Sequence, residues 1–288
     1  MKRVQFVMKK AVLSHPEFSA SLRIFGSNLD FDLISHRLEI QPTETHRAGD
    51  RGASSREYEE DFWCLESPLS RLKPLNDHVL WLRGMLQNRR AFLNTVKENA
   101  NVRSFCSVNT DGAHCSFDLT VDALRFFSEL ELNIELSTIF GGDFQQNREL
   151  ITTTLEHLPS DTPVEGIFLE AIARETQAII QLQDLGFRSS ILQGGQLDSE
   201  FAGASHRWFL TGRGTEALDL DQQLREINNF LSKYTDIFRS IRETTDLVIR
   251  CKQTIHHETG GVDVFVGGLL EPIALNIPFH FDLTLGRV

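Results

Sequence analysis

Residues 62–67, FWCLES, and residues 207–212, RWFLTG, each set a tryptophan and a leucine two positions apart, and the two stretches lie 145 residues from one another. Side chains two apart on a strand share a face, so Trp63 with Leu65 and Trp208 with Leu210 mark short strands that bury one side. The same displacement aligns Ile34 with Ile179, Gly49 with Gly194, Leu75 with Leu220, Leu86 with Leu231, Cys106 with Cys251, Asp118 with Asp263, Leu124 with Leu269 and Leu130 with Leu275. Scattered identities carry little weight alone, but hydrophobic periodicities recur at the same spacing. The expectation is two tandem copies of one unit, aligned without a gap.

Upstream of each Trp-x-Leu strand, alternating apolar residues (Leu22 and Ile24; Ile167 and Leu169) predict an opening strand. A first helix follows, with Asp30 capping its start in copy one and Pro42 ending it; Glu175 and Gly186 bracket its counterpart. The segments 43–61 and 188–207, rich in glycine, serine and charge, read as a short strand and a long loop. Downstream, Leu75, Val79, Leu82, Leu86, Leu93 and Val96 repeat at helical spacing, as do Leu220, Leu224, Ile227, Leu231, Tyr234, Phe238 and Ile241. That spacing predicts one amphipathic helix of about six or seven turns per copy. Asp111-Gly112 and Thr259-Gly260-Gly261 then mark turns between strands that return antiparallel. A short helix over 121–130 or 267–274 precedes a terminal alternating strand, the second helix being weakened by Gly267, Gly268 and Pro272.

The fold class expected is α+β: two tandem copies of a β-α-β-β-α-β-β-α-β unit, each an antiparallel or mixed sheet with helices on one face. The division is an N-terminal extension at 1–18, a first repeat at 19–140, a linker at 141–162 and a second repeat at 163–288. The opening strand, Pro42, Gly49-Asp50, the Trp63 and Leu65 strand, the long helix and the 124–134 closing segment together resemble domain-of-unknown-function family 4279. The resemblance covers most of copy one and, more weakly, copy two, which has Phe187 for the proline and Gly195 for the aspartate. It implies a small α+β module and carries no activity with it.

Net charge is -11 over 288 residues, divided as -3 for residues 1–144 and -8 for 145–288. A surface of that sign repels phosphate backbones, so nucleic acid is not the expected partner. The N-terminal apolar run is broken by Lys9 and Lys10, and no apolar stretch approaches a bilayer span, so neither secretion nor a membrane partner is expected. Four cysteines without CxxC spacing read as buried thiols of a reduced, cytoplasmic protein.

No dinucleotide, P-loop, nucleophile-elbow or HExxH pattern is present, and no cofactor is expected. The catalytic candidates are His46 as a proton-transfer residue, Asp50 as its orienter and Arg47 as an anion grip. Arg51, Arg56, Asp118 and Asp263 are the binding candidates. His256, His257 and Asp263 are the metal candidates, brought together only if the backbone turns at Gly260-Gly261. Each has a plainer reading: a mixed-charge solvated loop, a structural aspartate, a polar hairpin tip. The leading functional expectation is a non-catalytic protein-binding protein of acidic surface, with a basic partner and an immunity-like role against a toxin or nuclease within that class. The alternative is a hydrolytic or metal-assisted enzyme using the 46–50 loop or the His256-His257 hairpin. A third expectation is that the copies pack on one another, either across edge strands at 132–136 and 277–283 or face to face.

Overall fold

The computed structural model describes residues 15–52, 57–112, 114–140, 166–173, 181–182, 184–185, 188–190, 206–211, 220–255, 259–264 and 266–285. In chain order the first half forms β1 (Glu17–Gly26), α1 (Phe31–Leu38), β2 (Glu44–His46), β3 (Asp61–Glu66), α2 (Leu75–Leu86), α3 (Arg90–Lys97), β4 (Asn101–Thr110), β5 (His114–Leu119), α4 (Val121–Glu129) and β6 (Ile134–Phe140). The second forms β7 (Gly166–Ala173), β8 (Arg188–Ser190), β9 (His206–Thr211), α5 (Leu220–Lys233), α6 (Thr235–Ile241), β10 (Thr245–Ile255), β11 (Thr259–Val264), α7 (Leu270–Ala274) and β12 (Phe279–Leu285). The chain is a mixed α+β protein with two six-stranded sheets. The sequence reading of the first helix of the second half falls largely outside the described residues, and those of the 1–14 extension and the 141–162 linker fall wholly outside them.

Alternation fixes the first sheet. Phe18, Ala20, Leu22 and Ile24 of β1 are buried on one side, and β1 pairs antiparallel with β3 on one flank and β4 on the other. Trp63 is fully buried beside them, its indole N–H donating to Ser35 Oγ of α1 at 3.2 Å, which satisfies the one polar atom that burial would otherwise strand. The strand order is β11-β6-β4-β1-β3-β2, and the second sheet runs β5-β12-β10-β7-β9-β8. Each sheet therefore ends in a strand from the opposite half of the chain. β5 pairs antiparallel with β12, and β11 with β6.

The expected return of residues 114–119 alongside β4 does not occur, and the reason is topological. Both flanks of β4 are already taken, by β1 and by the parallel strand β6. β5 leaves the first sheet after Thr110 and buries Cys115, Phe117 and Leu119 in the second. The Phe117 ring lies 5.1 Å from Phe281 of β12 and 5.8 Å from Phe18 of β1, so one side chain joins both halves of a continuous core. Burying an aromatic of this size contributes about 2 to 3 kcal/mol. β6 and β12 are thus interior strands, each flanked by a strand from the other half of the chain.

The long helices are also broken. α2 stops at Leu86 and α3 begins at Arg90, with Arg89 at φ -112; α5 and α6 meet at Tyr234, φ -118. At the first break residues 87–90, Gln-Asn-Arg-Arg, offer no apolar side chain to hold that turn to the core. Arg89 uses the break to donate to Leu38 O at 3.1 Å and to pair with Glu39. α1 ends before Pro42: Glu39 takes a left-handed conformation, φ 57, while its N–H and that of Ile40 bond back to His36 and Ser35. The same cap recurs after α4 at Glu131 and after α7 at Asn276, with φ 50 and 56.

The weak closing helix of the second half is a 3-10 turn at Val266–Gly268 and the short α7. A Cβ on Gly268 would fall 2.4 Å from Leu224 Cγ, a contact that forces the Leu224 side chain or the backbone beside it to shift. Gly268→Ala should lower stability by about 1 to 3 kcal/mol in urea denaturation, and pairing it with Leu224→Ala should cost less than the two changes summed.

His78 of α2 is fully buried, with neither ring nitrogen in a hydrogen bond; the Ser70 and Lys73 carbonyls face it without reaching bonding geometry. Burial pushes its pKa down, those carbonyls opposing. The unfolded chain then binds the proton more readily, so His78 stabilises above the ordinary value of 6.5 and costs stability as pH falls below it. His78→Leu should flatten the acid side of the stability curve measured by thermal melts from about pH 7.5 to about pH 5.

Candidate functional site

The 46–50 loop is held by Asp61, a carboxylate only 5% exposed at the start of β3. Its Oδ2 accepts from Leu29 N–H at 2.8 Å and Arg47 Nη1 at 2.9 Å, and its Oδ1 from Ala48 N–H at 2.9 Å. The Ala48 amide is the largest influence on its pKa; with Leu29 and Arg47 it overcomes desolvation and holds the group below its ordinary range. Arg47 also donates to Leu29 O at 2.6 Å and lies 3.7 Å over the Phe31 ring. Asp50 accepts the Arg47 backbone N–H at 2.8 Å, closing a turn that passes through Gly49 at φ 85.

His46 is not joined to Asp50. Its ring stacks on Tyr58 at 3.4 Å and Phe62 at 4.7 Å, with Nδ1 buried and unbonded. Two of the three catalytic candidates are therefore engaged in shaping the loop, and the third lies in an aromatic stack. Arg51 pairs with Glu57 at 3.3 Å on the surface, while Arg56 lies outside the described residues. His256 and His257 lie outside them too; among the described residues no three His, Cys, Asp or Glu side chains form a metal-binding group. Burial pushes the thiols of Cys106 and Cys251 up to about 12 and that of Cys115 to about 11, the opposite of what a nucleophile needs.

Charged side chains gather instead on the sheet faces turned away from the core. On the second sheet a row crosses four neighbouring strands: Glu170 of β7 pairs with Arg250 of β10, whose Nη1 reaches Asp282 of β12 at 3.4 Å. His280 follows, with Nε2 3.0 Å from Asp282 Oδ1 and Nδ1 2.6 Å from Asp118 Oδ1 on β5. Glu170 is 1% exposed and Asp118 69%, so the row runs from the interior to solvent. Both ring nitrogens of His280 face carboxylates, and only the imidazolium can donate to both. The Asp282 bond is the main cause that raises its pKa, burial opposing and Asp118 adding. Burial alone would raise Asp282; His280 and Arg250 reverse this and leave it lowered.

The first sheet carries different chemistry at the matching places. Arg23 of β1 lies 3.5 Å over the Phe105 ring of β4, where the second sheet has Glu170 and Arg250. Arg103 reaches Glu135 of β6 at 3.6 Å, and Glu135 faces Asp263 of β11 in register. Burial raises the Glu135 carboxyl, with Asp263 adding to the shift and Arg103 countering it. The aspartates singled out from sequence thus lie within exchanged strands, Asp118 bonded to a histidine and Asp263 opposite a like charge. The β12 side chains around Asp118 were not anticipated; the alternation His280-x-Asp282 in a terminal strand was the available signal.

Because His280 is raised above its ordinary 6.5, its contribution is fully present below that value and is lost as pH rises through the folded pKa. His280→Gln should lower stability by about 1 kcal/mol near pH 5.5 and by less near pH 8, read by urea denaturation at each pH.

No curated protein matches the chain. Residues 16–141 match the model of the family described as Domain of unknown function (DUF4279).

Proposed function

We propose that the chain is a tandem duplication acting as a non-catalytic interaction protein in the cytoplasm, whose uncovered sheet faces meet a basic protein partner; a neutralising, immunity-like role belongs to that class. The observation that carries the reading is the contrast between inner and outer faces. Inward positions keep their character in the two sheets, as with Leu22 and Leu169, Cys106 and Cys251, or Leu136 and Phe281. Outward positions do not, as Arg23 with Phe105 against Glu170 with Arg250 shows. A duplication that retains its core while the opposite faces of its sheets carry unlike side chains suits one body with two different binding surfaces.

The duplication is supported by more than strand order. α2 and α5 begin 145 residues apart, as do α3 and α6, the helix breaks at Arg89 and Tyr234, and the left-handed caps Glu131 and Asn276. The spacing is not constant, however. Register places Leu22 opposite Leu65 and Leu169 opposite Leu210, so the opening strands differ by 147. A basic partner fits the net charge of -11. A reducing compartment fits four free, buried thiols.

Capture by the full chain should recover a basic protein in stoichiometric amount. Recovery should fall as salt rises from about 0.1 M to about 0.5 M, and again in the Asp118→Lys/Asp263→Lys variant once circular dichroism shows it folded. Recovery indifferent to both changes, or a partner of acidic charge, overturns the reading.

A further inference from the structure

We propose that the two halves of this chain are obligate partners, held together by exchanged strands firmly enough that they remain a pair when the peptide link between residues 140 and 166 is cut. The argument begins with the edges. β6 offers its outer backbone groups to β11 over Ile134 to Ile139, and β12 offers its own to β5 over Phe279 to Thr284. Remove either half and the remaining sheet keeps an open flank, while its own fifth strand is left projecting without a ladder. That stray strand is not polar: Cys115, Phe117 and Leu119 are buried in the assembled chain, and so is Val264 of β11.

The excursion is confined to the fifth strand. β5 departs after Thr110, where Gly112 N–H bonds to Thr110 Oγ1 at 3.1 Å, and the chain is back on its own half at Thr120. There Asn76 of α2 accepts both the N–H and the hydroxyl of Thr120 at 2.9 Å, and Thr120 caps α4. In the second half Asn228 of α5 likewise accepts the Glu271 N–H at 3.1 Å. Each strand is thus pinned at its return and inserted into the opposite sheet. Further bonds hold it in place there, namely Asp118 to His280 at 2.6 Å and His114 to Thr284 at 3.2 Å.

An alternative with the same ladder bonds exists on paper. β5 could lie against β6 and β11 against β12, which would put Asp118 opposite Glu135. The two arrangements are separated by which half supplies the neighbour of β6, and a cysteine pair reads that directly. The four native thiols are buried and do not compete. In the full chain, Glu135→Cys/Asp263→Cys should close a disulfide, because those residues are paired in register, and Glu135→Cys/Asp118→Cys should not.

A protease recognition sequence placed between residues 147 and 158 supplies the second arm. After cleavage the two fragments should co-elute at the mass of the intact chain with an unchanged circular dichroism spectrum, and oxidised Glu135→Cys/Asp263→Cys should keep them linked on a denaturing, non-reducing gel. The proposal is overturned if the 118–135 pair closes, if the 135–263 pair fails to close, if the cut fragments elute separately as folded species, or if they precipitate on cleavage.

Discussion

The backbone N–H and C=O groups along the outer flanks of β6 and β12 need partners, and the rest of the molecule is arranged around who supplies them. β4 cannot accept β5, since β1 and β6 already occupy its two sides. A strand carrying Phe117 and Leu119 also cannot stay in solvent without a cost comparable to a sizeable part of a domain's net stability. Placing β5 on β12 and β11 on β6 meets both demands at once. It also gives the two sheets one core, in which Phe117 touches a residue from each half.

Much of this was legible in the sequence, and what was not has a common cause. Trp63 and Leu65 were readable as core because a two-residue spacing decides a face without reference to any other segment. The closing helix at Gly267-Gly268 was readable as poor for the same local reason. The identity of the sheet that receives β5 was not, because Cys115, Phe117 and Leu119 alternate identically whichever flank they meet. The helix break at Arg89 was available in the gap between Leu86 and Leu93, which a count of apolar positions passes over. For the loop, the charged side chains of Arg47 and Asp50 looked like chemistry. Their commitment to structure depends on Asp61, whose role as a threefold acceptor is fixed only once the chain has turned.

The outer faces show how far side chains can change while backbone pairing is kept. Arg23 over Phe105 and Glu170 with Arg250 both bridge neighbouring strands, one through a cation and a ring, the other through opposite charges. Asp118 and Asp263 hold equivalent places yet face a histidine and a glutamate. An interior that must pack tolerates little of this, because a change of one methylene is felt there. The sheet exterior needs only that each strand keep some favourable neighbour, so it is where the two sheets differ in chemistry.

The crossing of β5 and β11 has a consequence for synthesis on the ribosome. β6 is complete at Phe140, but the strand that covers it ends at Val264, on the order of 120 residues later. At roughly 5 to 20 residues per second, the first sheet waits about 6 to 25 seconds with an open flank and with β5 unplaced. The nascent first half therefore passes through an interval in which the strand carrying Phe117 and Leu119 has no seat, and the final pairing is reached only when β12 has emerged.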